Sequence, residues 1–115
     1  AMMLITHDIP LARRIADQVA VMYAGRIVEW GPADAVLHHP LHPYTRGLLD
    51  SLPENQFKPM EGFMPAFDNI PAGCAFLPRC PVKDEACGTS DTPPQRACGD
   101  RFASCHHPLL GCDAL

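Results

Sequence analysis

The chain has 115 residues, a net charge of −4 and 19% charged residues, which is enough for one ordinary domain with a modest core. Its nine basic residues form no run or stripe, which disfavours direct binding to nucleic acid or to an anionic membrane surface. The sequence shows no signal peptide and no apolar stretch of spanning length. We therefore expect a cytosolic chain with no direct membrane span.

Residues 2–18 predict the first two elements. "MMLIT" is an apolar run that predicts a buried strand of a parallel sheet. "HDIPLARRIADQ" predicts a helix with Asp8 as N-cap, Pro10 in the first turn and one apolar face. A lone parallel strand needs neighbours that nothing upstream supplies, so we expect the chain to begin late in a larger domain.

A hairpin is predicted next. "VAVMYAGRIVEWG" contains two short apolar strands, residues 19–23 and 26–30, separated by "AG". Gly25 can adopt the positive φ that a tight turn requires. Strand, helix and hairpin in this order predict an α/β fold.

Two further helices and a tail follow the hairpin. The first helix begins at Pro32 and ends before Pro40, and the second is predicted over residues 45–52. From Pro53 onward Pro, Gly and Cys recur at short intervals, which predicts an irregular Pro/Cys-rich tail. The linker that opens this tail carries several apolar side chains, which must be covered. The linker therefore either packs back on the chain or seals an interface with a partner, and a dimer of the chain is one such interface.

A dense group of histidines lies between the two helices. His38, His39 and His42 flank Pro40 and Pro43 at predicted helix ends. Histidine at a helix end can cap backbone groups, so we assign this group a structural role rather than a metal site.

All six cysteines lie in the last 42 residues, at positions 74, 80, 87, 98, 105 and 112. Such clustering indicates that a cross-link or a metal replaces a hydrophobic core in this region. Six cysteines allow fifteen disulfide pairings. Zinc knuckles usually have two to four residues between cysteines, and no pair here is that close. An iron–sulfur cluster needs four thiolates and tolerates wider spacing.

Three separate stretches carry a resemblance to one family. "MLITHDIPLARRIADQVAVMYAGRIVEWGPADAVL" resembles the end of an ABC-transporter nucleotide-binding domain. "HPLHPYTRGLLDSLP" resembles the extension specific to ATP-binding subunits of oligopeptide and dipeptide importers, with "HPYT" as its hallmark. "IPAGCAFLPRCP" and "SCHHP" resemble the cysteine-bearing tail of the same subunits.

The resemblance implies an organisation of four segments. Residues 1–37 are the end of the nucleotide-binding domain, 38–52 the importer-specific helical extension, 53–72 a linker and 73–115 the cysteine-rich tail. His7 is implied to be the switch histidine that contacts the ATP γ-phosphate in the full-length subunit. The P-loop, glutamine loop, signature motif and magnesium-binding acidic residue are missing from this sequence. ATP and Mg²⁺ are therefore expected only in the full-length subunit, and this chain alone is expected to be inactive as an ATPase.

The resemblance also implies a ligand set for a 4Fe–4S cluster. The tails of these subunits follow the pattern G-C-x₅-C-P, a third cysteine and a C-H pair, which correspond here to Cys74, Cys80, Cys87 and Cys105. Cys98 and Cys112 fall outside the pattern and are expected to be a buried apolar residue and a loose thiol. A subunit facing the cytosol keeps its thiols reduced, which disfavours disulfides, and zinc remains the alternative metal.

The leading functional hypothesis is the C-terminal part of an ATP-binding subunit that powers peptide import. Its implied partners are a second ATP-binding subunit and the membrane permeases, at the inner face of the cell membrane. Two alternatives remain: a small independent iron–sulfur redox protein, and a structural zinc or disulfide module. The transported substrate would be selected by the binding protein and the permeases, so the sequence does not identify it.

Overall fold

The computed structural model describes residues 2–53, 59–60, 62, 66, 68, 73–81, 87, 95–105 and 108–109. Within these residues, four antiparallel strands form one sheet: β1 (Gln18–Tyr23), β2 (Arg26–Pro32), β3 (Gln95–Cys98) and β4 (Arg101–Ser104), in the order β1-β2-β4-β3. Three short α-helices of the described ranges accompany the sheet, so the predicted α/β character is confirmed. Within the described ranges, no helix is long and apolar enough to span a bilayer.

Helix α1 spans Ile9–Ile15 and begins as the sequence predicts. The Asp8 carboxylate accepts a hydrogen bond from the Leu11 backbone nitrogen at 3.0 Å, which satisfies one of the unpaired donors of the first turn. None of the helix residues is buried, and Leu11 and Ile15 are exposed. Only part of the predicted apolar face contacts the core: Ile9 and the C-cap residue Ala16 pack against it, whereas Leu11 and Ile15 are exposed.

The predicted buried strand at residues 2–6 is wrong for this structure. These residues belong to no strand, and Met2, Met3 and Ile5 are more than four-fifths exposed. An isolated apolar run has no backbone partner unless a strand lies beside it, and the described sheet provides none there.

The predicted hairpin is confirmed. Strands β1 (Gln18–Tyr23) and β2 (Arg26–Pro32) pair antiparallel around the turn at Ala24 and Gly25. Both turn residues have positive φ, 50° and 80°, which matches the right-handed twist of the flanking strands.

A β-bulge interrupts this hairpin. Val21 pairs with Glu29 and Met22 pairs with Ile27, so Val28 is the extra residue on β2. Strict alternation would place Val28 and Glu29 on opposite faces, but both are buried. The bulge thus turns a carboxylate into the interior.

The two helices after the hairpin are α2 (Ala33–His38) and α3 (Pro43–Asp50). Helix α2 agrees with the prediction. Helix α3 begins two residues earlier than predicted and ends before Leu52, because the His42 side chain caps it and Pro43 fits its first turn.

The irregular tail predicted from the sequence contains a second hairpin. Strands β3 (Gln95–Cys98) and β4 (Arg101–Ser104) form four antiparallel pairs, and β4 also pairs with β2 through Glu29–Ala103 and Trp30–Phe102. The tail therefore extends the sheet begun by the first hairpin. The prediction of an irregular tail is wrong for these eight residues.

Candidate functional site

Three aromatic side chains, one from β1 and two from the start of α3, form a socket around one residue of the tail. Tyr23 ends β1, His42 caps α3, and Tyr44 lies in its first turn; we call these three residues the aromatic socket. Phe76 is 2% exposed and lies 5.2, 5.8 and 5.5 Å from the ring centroids of Tyr23, His42 and Tyr44. All three contacts are edge-type, the geometry that the aromatic quadrupole favours. Burying a phenylalanine contributes about 1.5–3 kcal/mol.

Phe76 belongs to the segment 74–80, which we call the cysteine loop. A 3₁₀ turn at Leu77–Arg79 tightens the loop. The Arg79 guanidinium carbon lies 6.0 Å from the Tyr23 ring centroid, and Arg79 Nη1 is 3.4 Å from the Tyr23 hydroxyl oxygen. Phe76 and Arg79 thus attach the loop to the first hairpin and to the "HPYT" segment.

The four cysteines that the resemblance implies as ligands are all buried. The thiols of Cys74, Cys80, Cys87 and Cys105 are not in disulfides. The Cys74 backbone nitrogen donates to the Cys87 carbonyl oxygen at 3.3 Å, so these two residues are neighbours. Burial raises the pKa of the Cys74 thiol, and the nearby Cys87 thiol raises it further.

Cys98 differs from these four because it is disulfide-bonded. It is buried, as expected, but it is not the simple apolar residue that the sequence suggested. Cys112 lies outside the described residues.

The donor chemistry and the donor placement disagree. Four buried thiols suit a soft metal or an iron–sulfur cluster. Among the described residues, however, no three His, Cys, Asp or Glu side chains come together as a metal site. The cysteines as placed do not form the implied centre.

The buried Glu29 side chain binds the backbone at the start of the "HPYT" segment. Its two carboxylate oxygens accept hydrogen bonds from the backbone nitrogens of Leu41 and His42, both at 2.9 Å. Burial raises the pKa of Glu29, although both backbone hydrogen bonds act in the opposite direction. Sequence reasoning missed this residue; the signal was a carboxylate within the otherwise apolar strand "RIVEWG".

Arg101 ties the tail to the same region. It is 3% exposed, and its Nη1 donates to the carbonyl oxygens of Ala35 at 2.8 Å and His39 at 2.6 Å. Two acceptors at the end of α2 thereby gain a charged donor. No local pattern in the sequence marks Arg101.

His42 connects α3 to the tail strand. Its Nδ1 accepts a hydrogen bond from the Tyr44 backbone nitrogen at 3.0 Å, so the other ring nitrogen carries the proton. The ring also hydrogen-bonds to the Ser104 backbone. Burial lowers the pKa of His42 to about 4, so the ring is neutral at neutral pH.

Of the other described histidines, His38 agrees with its structural assignment. His38 Nδ1 donates to the Asp34 carbonyl oxygen at 3.0 Å within α2, and His39 is exposed. His7 lies just before α1, and it is exposed.

A cavity of about 130 Å³ lies beside the socket. Its lining includes Tyr23, His42, Cys74 and Phe76, together with Val28 and Ser104. The cavity therefore touches the cysteine loop, the "HPYT" segment and the tail strand.

A known protein family matches one continuous stretch of the chain that contains several of these segments. The family described as "Oligopeptide/dipeptide transporter, C-terminal region" matches residues 28–87, which include most of β2, the "HPYT" segment and the cysteine loop.

Individual relatives match most of this chain. A putative peptide import ATP-binding protein of Brucella abortus is 46% identical over 106 residues, which is 89% of this chain and 31% of that protein. Dipeptide transport ATP-binding protein DppD of Escherichia coli is 39% identical over 95% of this chain and 35% of its own length. Di/tripeptide transport ATP-binding protein DppF of Pseudomonas aeruginosa is 42% identical over 93% and 35%. The chain thus spans about a third of these relatives, and it belongs to the oligopeptide/dipeptide transporter C-terminal family.

Proposed function

We propose that this chain is the C-terminal part of an ATP-binding subunit that energises peptide import across a membrane. The proposal is carried by the extent of the match: relatives named as peptide-transport ATP-binding proteins cover 89% to 95% of the chain. Its partners would be a second ATP-binding subunit and membrane permeases, with the assembly at the inner face of the cell membrane.

The role of the N-terminal residues follows from what ATP hydrolysis requires. Hydrolysis depends on positioning the phosphates and on stabilising the charge of the transferred phosphoryl group. This sequence has no G-x-x-x-x-G-K-[ST] phosphate cradle. His7 would supply one hydrogen-bonding imidazole to the γ-phosphate of an ATP held by the remainder of a longer subunit, so the chain alone would not hydrolyse ATP.

The hairpin and helices would give the tail a rigid base. Arg101, Glu29 and His42 connect the two hairpins and α3 through buried hydrogen bonds. In a longer subunit, the cysteine tail would therefore move together with the end of the nucleotide-binding domain.

A chimeric subunit tests the transport role. We would replace the matching third of Escherichia coli DppD with this chain and measure growth of a DppD-deficient strain on a dipeptide that supplies an essential amino acid. We expect growth with the chimera and none when it carries His7→Ala. Growth that is unaffected by His7→Ala would contradict the switch-histidine role, and no growth from a chimera that assembles with the permeases would contradict the transport role.

We also propose that Cys74, Cys80, Cys87 and Cys105 hold a 4Fe–4S cluster. The support is chemical: these described cysteines are buried thiols, whereas Cys98 is taken by a disulfide. The cluster would order the tail; zinc is the alternative metal for the same thiols. The described placement does not gather these thiols, so the proposal requires a rearrangement on loading.

Metal analysis of protein purified without oxygen decides between these possibilities. We expect near-equal iron and labile sulfide with a brown colour, and bleaching by Cys→Ser changes at positions 74, 80, 87 and 105. The matched control is Cys98→Ser, which should keep the colour. Protein with zinc alone would replace the cluster by a zinc site, and protein that binds neither metal would refute both.

A further inference from the structure

Phe76 is the most deeply buried side chain of the cysteine loop, in which Cys74, Ala75 and Cys80 also belong to the core. Phe76 enters the aromatic socket, whereas Leu77 is half-buried and Pro78 is exposed. Arg79 adds an outer contact to the Tyr23 ring. Release of the Phe76 ring would therefore remove the main apolar anchor of the loop.

Cysteines lie on both sides of Phe76 in the sequence. Cys74 precedes Phe76 by two residues and Cys80 follows it by four, and each is 8% exposed. Cys87 is joined to Cys74 by a backbone hydrogen bond. These thiols are buried, yet in the part of the chain that the structure describes no three potential ligands converge. With Phe76 seated, Cys74 and Cys80 are thus largely shielded from solvent.

We propose that Phe76 is a latch that keeps the cysteine loop closed. With the ring in the aromatic socket, Cys74 and Cys80 are buried; with the ring released, they reach solvent and can gather with Cys87. The exposure of the thiols is independent of any metal. The accompanying claim, that release speeds metal capture, rests on the cysteine site of the proposed function.

The cavity beside the socket gives the ring somewhere to move. Its volume, about 130 Å³, approaches the roughly 150 Å³ of an apolar cavity known to accept benzene. Phe76 and Cys74 both line it.

Site-resolved thiol labelling tests the latch. The full 115-residue chain, metal-free and under argon, is pulsed with N-ethylmaleimide, and the modification of each cysteine is followed by peptide mass spectrometry. Labelling of a buried thiol follows the population of the open form. We expect Phe76→Ala to accelerate labelling of Cys74 and Cys80 by about tenfold or more, the factor for a 1.4 kcal/mol shift of the opening equilibrium.

The matched control removes the same ring elsewhere. Phe102→Ala deletes a phenyl group that stacks on Trp30 outside the socket, and it should leave the labelling of Cys74 and Cys80 unchanged. Unchanged labelling in a folded Phe76→Ala protein would refute the latch. Equal acceleration of all thiols, Cys105 included, would also refute it, because that pattern indicates general unfolding.

A milder variant covers the case in which Phe76→Ala does not fold. Phe76→Leu keeps an apolar side chain but loses the three ring contacts, so we expect a smaller acceleration with the same preference for Cys74 and Cys80. Loss of that preference would overturn the proposal.

A zinc-uptake experiment tests the latch separately from the proposed metal site. Zn²⁺ uptake is followed by a competing chromophoric chelator in wild type and Phe76→Leu, and we expect faster uptake in the variant. Slower uptake would show that the seated ring positions ligands instead of restraining them, which contradicts the latch. If neither protein takes up zinc or reconstitutes a cluster, the proposed metal site is wrong, and the labelling result alone decides the latch.

Discussion

The Nη1 atom of Arg101 donates a hydrogen bond to the carbonyl oxygen of His39 over 2.6 Å. Arg101 belongs to the tail strand β4 and His39 follows α2, so this contact joins residues 62 positions apart in the chain. The same nitrogen also reaches the Ala35 carbonyl oxygen. The cysteine-bearing tail is therefore fastened to the preceding helices by a buried charge.

Replacing Arg101 by methionine should destabilise the fold. The change keeps an apolar stem but removes both hydrogen bonds and leaves two acceptors without the charged donor, which should lower the free energy of unfolding by about 3 kcal/mol. Urea denaturation followed by circular dichroism measures the effect. The control is Arg46→Met on the exposed face of α3, which should change the stability by less than about 0.5 kcal/mol.

His42 should make stability depend on pH between about 4 and 6.5. Its pKa is lowered in the folded state, so the unfolded chain binds more protons in this window and stability falls as the pH falls. Between pH 7 and pH 5 the loss due to His42 should be about 2 kcal/mol. His42→Asn retains a side-chain cap without titrating, so the pH dependence of wild type minus that of the variant isolates this contribution. Equal pH dependence in both proteins would contradict a buried neutral His42.

Titration of Glu29 should make stability depend on pH in the direction opposite to that caused by His42. Burial raises its folded-state pKa above the usual 4.5, so the folded chain retains the proton longer, and stability falls as the pH rises from 4.5 through the raised pKa. Glu29→Gln should remove this dependence while losing one of two backbone hydrogen bonds, at about 1–2 kcal/mol. Unfolding measured at several pH values in both proteins provides the test. A variant that keeps the wild-type slope above pH 4.5 would rule out Glu29 as its source.

Gly31 should tolerate no side chain. A Cβ atom there would lie 2.3 Å from Arg101 Cβ, so β2 and β4 would have to separate. We expect Gly31→Ala to cost about 3 kcal/mol. Gly99, at φ 67°, has nothing within 4 Å of the corresponding position, so Gly99→Ala should cost only about 1–2 kcal/mol from backbone strain. Thermal unfolding of both variants ranks the two effects, and the reverse order would contradict the close approach of these strands.

Trp30 should report the docking of the tail. It is the single tryptophan, and its ring lies 5.8 Å from that of Phe102. Phe102→Ala uncovers the indole, so its emission maximum should shift to longer wavelength while Tyr23 and the socket are unaffected. Phe76→Leu serves as the control and should leave the emission maximum unchanged.

Local signals in the sequence determined the elements that depend on a few neighbouring residues. The Ala24–Gly25 turn, the Asp8 cap and the proline that follows α2 each satisfy backbone requirements within about four positions, and the structure agrees with all three. The cysteine spacing and the "HPYT" segment likewise indicated where the chemistry of the tail is concentrated.

The tertiary structure decided what depends on contacts between distant residues. Sequence alternation does not show that a bulge turns Glu29 inward, that β4 pairs with β2, or that Phe76 enters the aromatic socket. An apolar run is a strand only if a partner lies beside it, which is why residues 2–6 belong to no strand and are exposed. The sequence determines which apolar and thiol side chains are present, whereas packing across the sheet determines which of them are in contact.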